Sequence, residues 1–474
     1  MARDNKKTVV ISRNLFATAI WAIISITEYF IIKIISQSEA ALYHYSLLTI
    51  INLIIQLIII KKCKIKLFSF FPIFIVLLYL FHFGQLYTHT LFQDVVFSQV
   101  NYIERYMPDY TCTLRTIQVC IISINMIFLG GLLASSFIKK ESMVAKIEKS
   151  NTCYYFARIL FCISFPLKLY IDYKQMTNAL TLGYHGAIET QMISGVIGAI
   201  ASFWYISIPL VYITSKKKST KKTLLIFAYI YILMTMFTGN RGHQIVNLLG
   251  ITIIIRYQIK TKMKVKHIIL YSIAAFIGLI FIDLIFKNRG YGIIYIVSNF
   301  PTLFIASLKN NIVLETINNF GSTILTPYLV ISGKGTKFNP FFGETYLKSF
   351  VSIVPDAFGA FKNINNDAIF SRNLHTSHNI GGSIIAEFYY NFGAMYPYIS
   401  VLFGIIYYKV SDKIIKSMNN KNYDAICLYL PFAICTLWWV RDTIGGVIRP
   451  VAWLMIIYMA TYTITKQVKK EEEQ

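Results

Sequence analysis

Residues 42–87 read LYHYSLLTIINLIIQLIII, then KKCKIK, then LFSFFPIFIVLLYLFHFGQLY. Each flanking run is long enough, at about 1.5 Å per helical residue, to cross a hydrocarbon core about 30 Å thick. Between them stand Lys61, Lys62, Lys64 and Lys66. Two apolar runs joined by a short basic cluster read as an antiparallel pair of membrane helices whose connection stays in the cytoplasm.

The pattern repeats outward from this pair. Candidate spans are Asn14–Ile35, Leu42–Ile60, Leu67–Tyr87, Arg115–Ile138, Cys153–Ile171 and Gly195–Thr214. Thr223–Thr238, Gln244–Ile255, Ile268–Phe286, Ser383–Tyr408, Tyr423–Val440 and Pro450–Thr465 follow. Basic clusters occupy every second connection: Lys139 to Lys149, Lys216 to Lys222, Arg256 to Lys266 and Lys409 to Lys421. With both chain ends they hold more than half of the 46 Lys and Arg. The expectation is an all-α polytopic membrane protein of about twelve transmembrane helices, both termini cytoplasmic, the first span uncleaved. Residues 1–474 form a single integral membrane domain, without internal repeat or soluble domain.

Composition agrees. Of 474 residues 55% are hydrophobic and 14% charged, with mean hydropathy +0.55, whereas soluble domains carry about 25% charged residues. The net charge of +24 is placed between spans, which argues against a nucleic-acid partner and for contact with membrane lipid. Seven cysteines without a Cys-x-x-Cys pair give no disulfide framework and no zinc motif. Cys112 alone is expected in an outer loop.

The outer side then receives Thr88–Leu114, Asp172–Ser194, the Gly239–His243 turn, the long outer loop 287–382 and Arg441–Arg449. Apolar stretches inside the long loop, such as Tyr346–Val354, are too short to span and read as helices lying on the membrane or covering a cavity. Two unusually short spans flank Asn240-Arg241-Gly242. They read as a hairpin rather than one long span, with Arg241 at headgroup depth or deeper, where an unpaired cation is costly. Interfacial snorkelling is the competing reading.

At the next outer exit Asp283 and Lys287 stand four apart and are expected to pair, leaving Arg289 in a glycine-flanked turn. The last outer turn carries Arg441, Asp442, Gly445, Gly446 and Arg449, and one of its arginines is expected to pair with Asp442. Arginine beside glycine in three outer turns suits a diphosphate, because guanidinium binds phosphate through two parallel hydrogen bonds. The loop returns to the membrane through Asn373–Gly393, which holds His375, His378, Gly381, Gly382 and Glu387. His378 is favoured as a general base, with Glu387 either structural, paired with an arginine, or the base itself. His375 ranks below both. His82, His89 and His185 are weaker candidates for substrate contact, and Trp438 and Trp439 read as interface residues.

The blocks Thr238-Gly239-Asn240-Arg241-Gly242, Phe286 to Gly292, Phe350 to Pro355, Ser377 to Ser383, Asn391-Phe392-Gly393 and Val440-Arg441-Asp442 resemble, in that order, the oligosaccharide repeat-unit polymerases of O-antigen and capsule (the Wzy type). The likeness runs from Phe237 to Arg449. It implies a GT-C-like polymerase/ligase architecture and a glycosyltransferase using undecaprenyl-diphosphate-linked oligosaccharide as donor and acceptor. Its place would be the outer face of the bacterial plasma membrane, and it would need neither metal nor cofactor. The absence of an Asp-x-Asp motif from the outer loops agrees. By the same resemblance Arg241 and Arg289 match the diphosphate-holding arginines and His378 the loop histidine. Asn240, Arg441, Arg449 and His375 are further substrate contacts, and a chain-length regulator is a conceivable partner. An O-antigen ligase, a flippase for the same lipid-linked units and a membrane acyltransferase are the alternatives. A flippase would concentrate its charges near the bilayer midplane.

The basic clusters set the sidedness, so a single cysteine at Lys337 in a cysteine-free background should react with an impermeant reagent from outside, and one at Lys218 should not. Labelling at 218 alone overturns the topology.

Overall fold

The computed structural model describes residues 2–38, 40–97, 100–137, 151–192, 195–236, 241–258, 277–278, 280, 284, 287–288, 292–309, 311–333, 342–354 and 381–472. Every regular element among them is helical. Seven helices are long and apolar enough to cross a membrane: Arg13–Ile35, Ala41–Lys62, Phe70–Leu91, Tyr110–Phe137, Thr152–Asn178, Val196–Thr214 and Ile444–Val468. Tyr423–Trp439 is a shorter apolar helix. The expected span Ile268–Phe286 lies almost entirely outside the described residues.

The chain folds as two compact units, one made of Met1–Lys146, Ile317–Lys416 and Cys435–Arg449, the other of Ile147–Thr316, Ser417–Ile434 and Pro450–Gln474. In the first unit helices α1 (Ala2–Ile35), α2 (Ala41–Lys62), α3 (Phe70–Leu91) and α5 (Tyr110–Phe137) pack together, with the short α4 (Tyr102–Tyr106) beside α3. Trp21, Phe70, Phe71, Phe74, Phe83 and Phe128 fill the core.

Close approach of backbones, which membrane bundles use in place of a hydrophobic drive, needs small residues at the crossing. Gly84 of α3 meets Gly321 at the end of α13 (Ile312–Gly321): a Cβ on Gly84 would collide with the Ile317 carbonyl oxygen, and one on Gly321 with the Gln85 backbone nitrogen. Gly130 of α5 likewise faces the Val401 carbonyl, and Gly404 faces that of Ile127.

In the second unit α6 (Thr152–Met192) packs against α7 (Gly195–Ser202) and α8 (Trp204–Thr214), and α8 against α9 (Lys218–Thr235) and α10 (Arg241–Gln258). The pairs Tyr229–Thr252 at 2.7 Å and Lys221–Gln258 at 3.1 Å run in opposite chain directions, so α9 and α10 form the expected antiparallel hairpin with its turn before Arg241. The described residues of segment 292–354 form the short helices α11 (Gly292–Ser298), α12 (Phe300–Lys309), α13, α14 (Leu325–Ser332) and α15 (Glu344–Val351).

Three expectations need correction. Asp172–Ser194 is not a loop, because α6 continues through Pro166 to Met192 without a breaker strong enough to end it. Ser383–Tyr408 is not one span but α16 (Ile384–Phe392) and α17 (Tyr396–Asn420), broken where Gly393 takes φ +51°. Such a positive φ favours glycine. The cysteines are also not all unpaired: Cys153 and Cys427 form a disulfide, joining the start of α6 to that of α18 (Tyr423–Trp439). Cys112 sits buried in the first turn of α5 rather than in a loop.

Gly321→Ala should destabilise the detergent-solubilised protein by about 1–3 kcal/mol, the usual penalty of overpacking. A thermal unfolding midpoint equal to the wild type would remove that crossing from the account of the fold.

Candidate functional site

The first unit gathers four of the six sequence blocks around the start of α16. Ser383 caps that helix, its Oγ accepting from the Ala386 N–H at 3.3 Å, as serine at such a position commonly does. The same hydroxyl donates to Nε2 of His82 at 2.8 Å while the other ring nitrogen bonds the Leu78 carbonyl at 3.0 Å. His82 is fully buried with both nitrogens engaged, so it anchors the start of α16 to α3. His89 faces Glu104 at 2.8 Å.

Ahead of Ser383 the two glycines meet the turn that holds Arg441 and Asp442. Gly381 has φ +75°, a left-handed conformation that side chains resist, and its carbonyl accepts from Thr326 at 3.3 Å. A Cβ there would lie 3.5 Å from the Arg441 carbonyl oxygen. A Cβ on Gly382 would overlap the Asp442 carbonyl. The Gly-Gly-Ser block and the Arg441-Asp442 block are thus in backbone contact, 60 residues apart in the chain.

Glu387 locks that contact. It is completely buried, and its carboxylate accepts from the indole N–H of Trp439 and from the backbone N–H of Ile444, the latter at 2.9 Å. Ile444 begins α19 (Ile444–Glu472), whose free first-turn amides favour a carboxylate. Asp442 accepts from the Thr443 N–H at 2.7 Å. Trp439, read from sequence as an interface residue, is instead buried against Phe388 and Phe403.

The remaining two blocks close the arrangement. Asn391 donates to the Thr345 hydroxyl at 2.7 Å and to the Glu387 carbonyl at 2.9 Å, tying α15 to α16. Arg449 donates from Nε to the Ser352 carbonyl at 2.9 Å. Tyr346 meets Trp439 edge-on and Phe392 at a tilt. Burial pushes its phenol well above the ordinary value, and the Glu387 carboxylate adds to that shift. The hydroxyl therefore stays a neutral donor, and among the described residues it has no hydrogen-bond partner. Arg441 is exposed at the rim.

Of the residues singled out from sequence, the structure brings Glu387, Arg441 and Arg449 into this one region. Arg241 opens α10 in the second unit, but its side chain lies outside the described residues, as do Asn240, Arg289, His375, His378 and Asp283. Lys287, expected beside Asp283, lies 3.7 Å from Glu315. Sequence reasoning missed Ser383, Thr345 and Ser352. A helix cap was readable for Ser383, three residues before Ala386 in an apolar run; Ser352 stood only as one member of the Phe350 to Pro355 block and Thr345 left no signal, since their roles depend on distant partners.

Glu387→Ala would leave the Trp439 and Ile444 donors buried without acceptors, at about 1–3 kcal/mol each. Its unfolding midpoint should fall further than that of Trp439→Phe, which spares the Ile444 bond. Equal midpoints for Glu387→Ala and wild type would contradict the clamp.

No curated protein and no solved structure matches the chain. A family model described as O-antigen polysaccharide polymerase Wzy matches residues 18–472. The match takes in both compact units and every block gathered around Glu387. The chain belongs to the O-antigen polysaccharide polymerase Wzy family.

Proposed function

We propose that this protein joins undecaprenyl-diphosphate-linked oligosaccharide repeat units into a longer glycan at the outer face of the plasma membrane. The observation that carries the reading is the family match over nearly the whole chain. The architecture is a bundle of about twelve transmembrane helices of GT-C-like type, with cytoplasmic termini and segment 287–382 on the outer side.

The chemistry asks for three things. A hydroxyl at the non-reducing end of the incoming unit attacks the anomeric carbon of the growing glycan. The bond from that carbon to the diphosphate oxygen breaks, its electron pair leaves with the diphosphate, and the hydroxyl proton passes to a base. Arg241 and Arg289, with Asn240 beside them, hold the departing diphosphate. Loss of one such donor typically costs about 10²–10³ in rate. His378 accepts the proton, a step worth about 10²–10⁴, and His375, Arg441 and Arg449 contact the sugars or phosphates. The diphosphate is already a good leaving group, so the reaction proceeds without metal or cofactor. A chain-length regulator would act on the same growing glycan.

The structural engagement of Glu387 with Trp439 and Ile444 supports giving it the positioning role and His378 the base. His378 precedes the Gly381–Gly382 contact by only a few residues, which brings the chain to the Arg441 turn.

Deleting the gene should leave surface glycan of a single repeat. Polymer retained on its lipid carrier would indicate a ligase, and units trapped inside a flippase. Arg241→Ala and Arg289→Ala should each abolish polymer, with lysine rescuing only in part because a point charge lacks the guanidinium fork. His378→Ala should bind the lipid-linked unit and fail to transfer it. Normal polymer from His378→Ala, with a Glu387→Gln protein that binds but is inactive, would exchange the two roles.

A further inference from the structure

Four helices of the second unit bring together a polar set that the reaction outlined above does not use. Lys168 and Asp172 stand one turn apart on α6, with Nζ 2.5 Å from Oδ1. Tyr231 of α9 donates its hydroxyl to the other carboxylate oxygen, Oδ2, at 2.5 Å. The Lys168 ammonium lies 5.3 Å from the ring centre of Tyr205 on α8. The Tyr205 hydroxyl donates in turn to Oε1 of Gln244 on α10 at 2.8 Å. Trp204 packs edge-on against Tyr231 at 4.8 Å. Lys168, Asp172, Tyr205 and Gln244 are each exposed by less than a tenth of their surface.

Stability alone does not account for this set. An ion pair withdrawn from water loses much of its attraction to desolvation, and apolar residues of similar volume commonly do as well. Directed hydrogen bonds and charge pairing instead fix rotation and register between elements, the best attested use of buried polar groups. Here the chain of contacts runs from Asp172 and Lys168 of α6 through Tyr205 of α8 to Gln244, with Tyr231 of α9 joining it at Asp172. That residue is three positions after Arg241, about one helical turn further along α10. The pairing therefore terminates on the first turn of α10, the turn that Arg241 begins.

We propose that Lys168, Asp172, Tyr231, Tyr205 and Gln244 are positioning residues that hold the first turn of α10, and through it Arg241, in register for an anionic diphosphate headgroup. The inference rests on the reading of Arg241 as a diphosphate ligand. None of the five needs to touch the ligand. Their effect passes through Arg241, and that makes it separable from a merely structural one.

The test is equilibrium binding of undecaprenyl diphosphate to the full-length purified protein, with the thermal midpoint followed in parallel. Tyr205→Phe and Tyr231→Phe remove single hydroxyls and lower the midpoint, because each leaves a buried acceptor short of a donor. Each should weaken binding about fivefold at a temperature where the variant remains fully folded, in the range of couplings between neighbouring side chains. Arg241→Lys should weaken it about tenfold through loss of the fork. The combined Tyr205→Phe/Arg241→Lys protein should bind within about twofold of Arg241→Lys alone, because the hydroxyl acts only through the guanidinium. Gln244→Asn, which keeps the amide but withdraws it, should behave as Tyr205→Phe and serves if a tyrosine variant folds poorly. Wild-type binding by the tyrosine and Gln244 variants overturns the inference, and so do effects that multiply in the combined protein. Wild-type binding by both Arg241→Lys and Arg241→Ala overturns the diphosphate role of Arg241 itself.

Discussion

A carboxylate with no access to water governs the arrangement of the first unit. Glu387 stands in the first turn of α16, and burying it is tolerable only because donors come to it: the Trp439 indole and the first amide of α19. Those donors lie in segments more than 50 residues away, so satisfying one charge fixes where the Arg441–Asp442 turn must sit. Gly381 and Gly382 make that approach possible, since side chains there would meet the Arg441–Asp442 backbone. Asn391 extends the lock to α15 through Thr345. The result is a preorganised backbone surface, with Arg441 exposed at its rim. Preorganisation of this kind is what charge-stabilising catalysis requires, because groups already in place need no reorganisation during reaction.

The two units rely on different devices for rigidity. The first crosses helices at glycines, with Gly84 on Gly321 and Gly130 and Gly404 on opposing carbonyls. The second uses a buried ionic and hydroxyl relay together with the Cys153–Cys427 disulfide. Both suit a bilayer, where lipid tails are as apolar as leucine and helices gain little from burying apolar faces against each other.

Much of this was legible in the sequence, for physical reasons that also mark its limits. Apolar runs and basic clusters announce membrane helices because hydrocarbon thickness and interfacial charge are simple, local constraints. The Arg241 hairpin was readable because two short spans could not otherwise keep their basic ends on one side. Long-range pairing was not readable. Glu387 accepts from an indole and a backbone amide in distant segments, which no local pattern announces. Ser383 with His82 is another such pair, separated by about 300 residues. Breaks were misjudged where conformation outweighed hydropathy: Gly393 divides one apolar run into two helices, and α6 continues through a polar stretch read as loop. The Lys168–Asp172 pair was not read from the sequence, and only the fold brings Tyr231 to that carboxylate and Tyr205 to Gln244.

The most direct measurement is reconstitution. The purified full-length protein in liposomes, supplied with a single lipid-linked repeat unit, should yield a ladder of products differing by one repeat. One undecaprenyl diphosphate should be released for every linkage formed. A substrate that remains a single repeat under conditions where the protein binds it, or a glycan transferred only to a non-repeat acceptor, would contradict the polymerase reading.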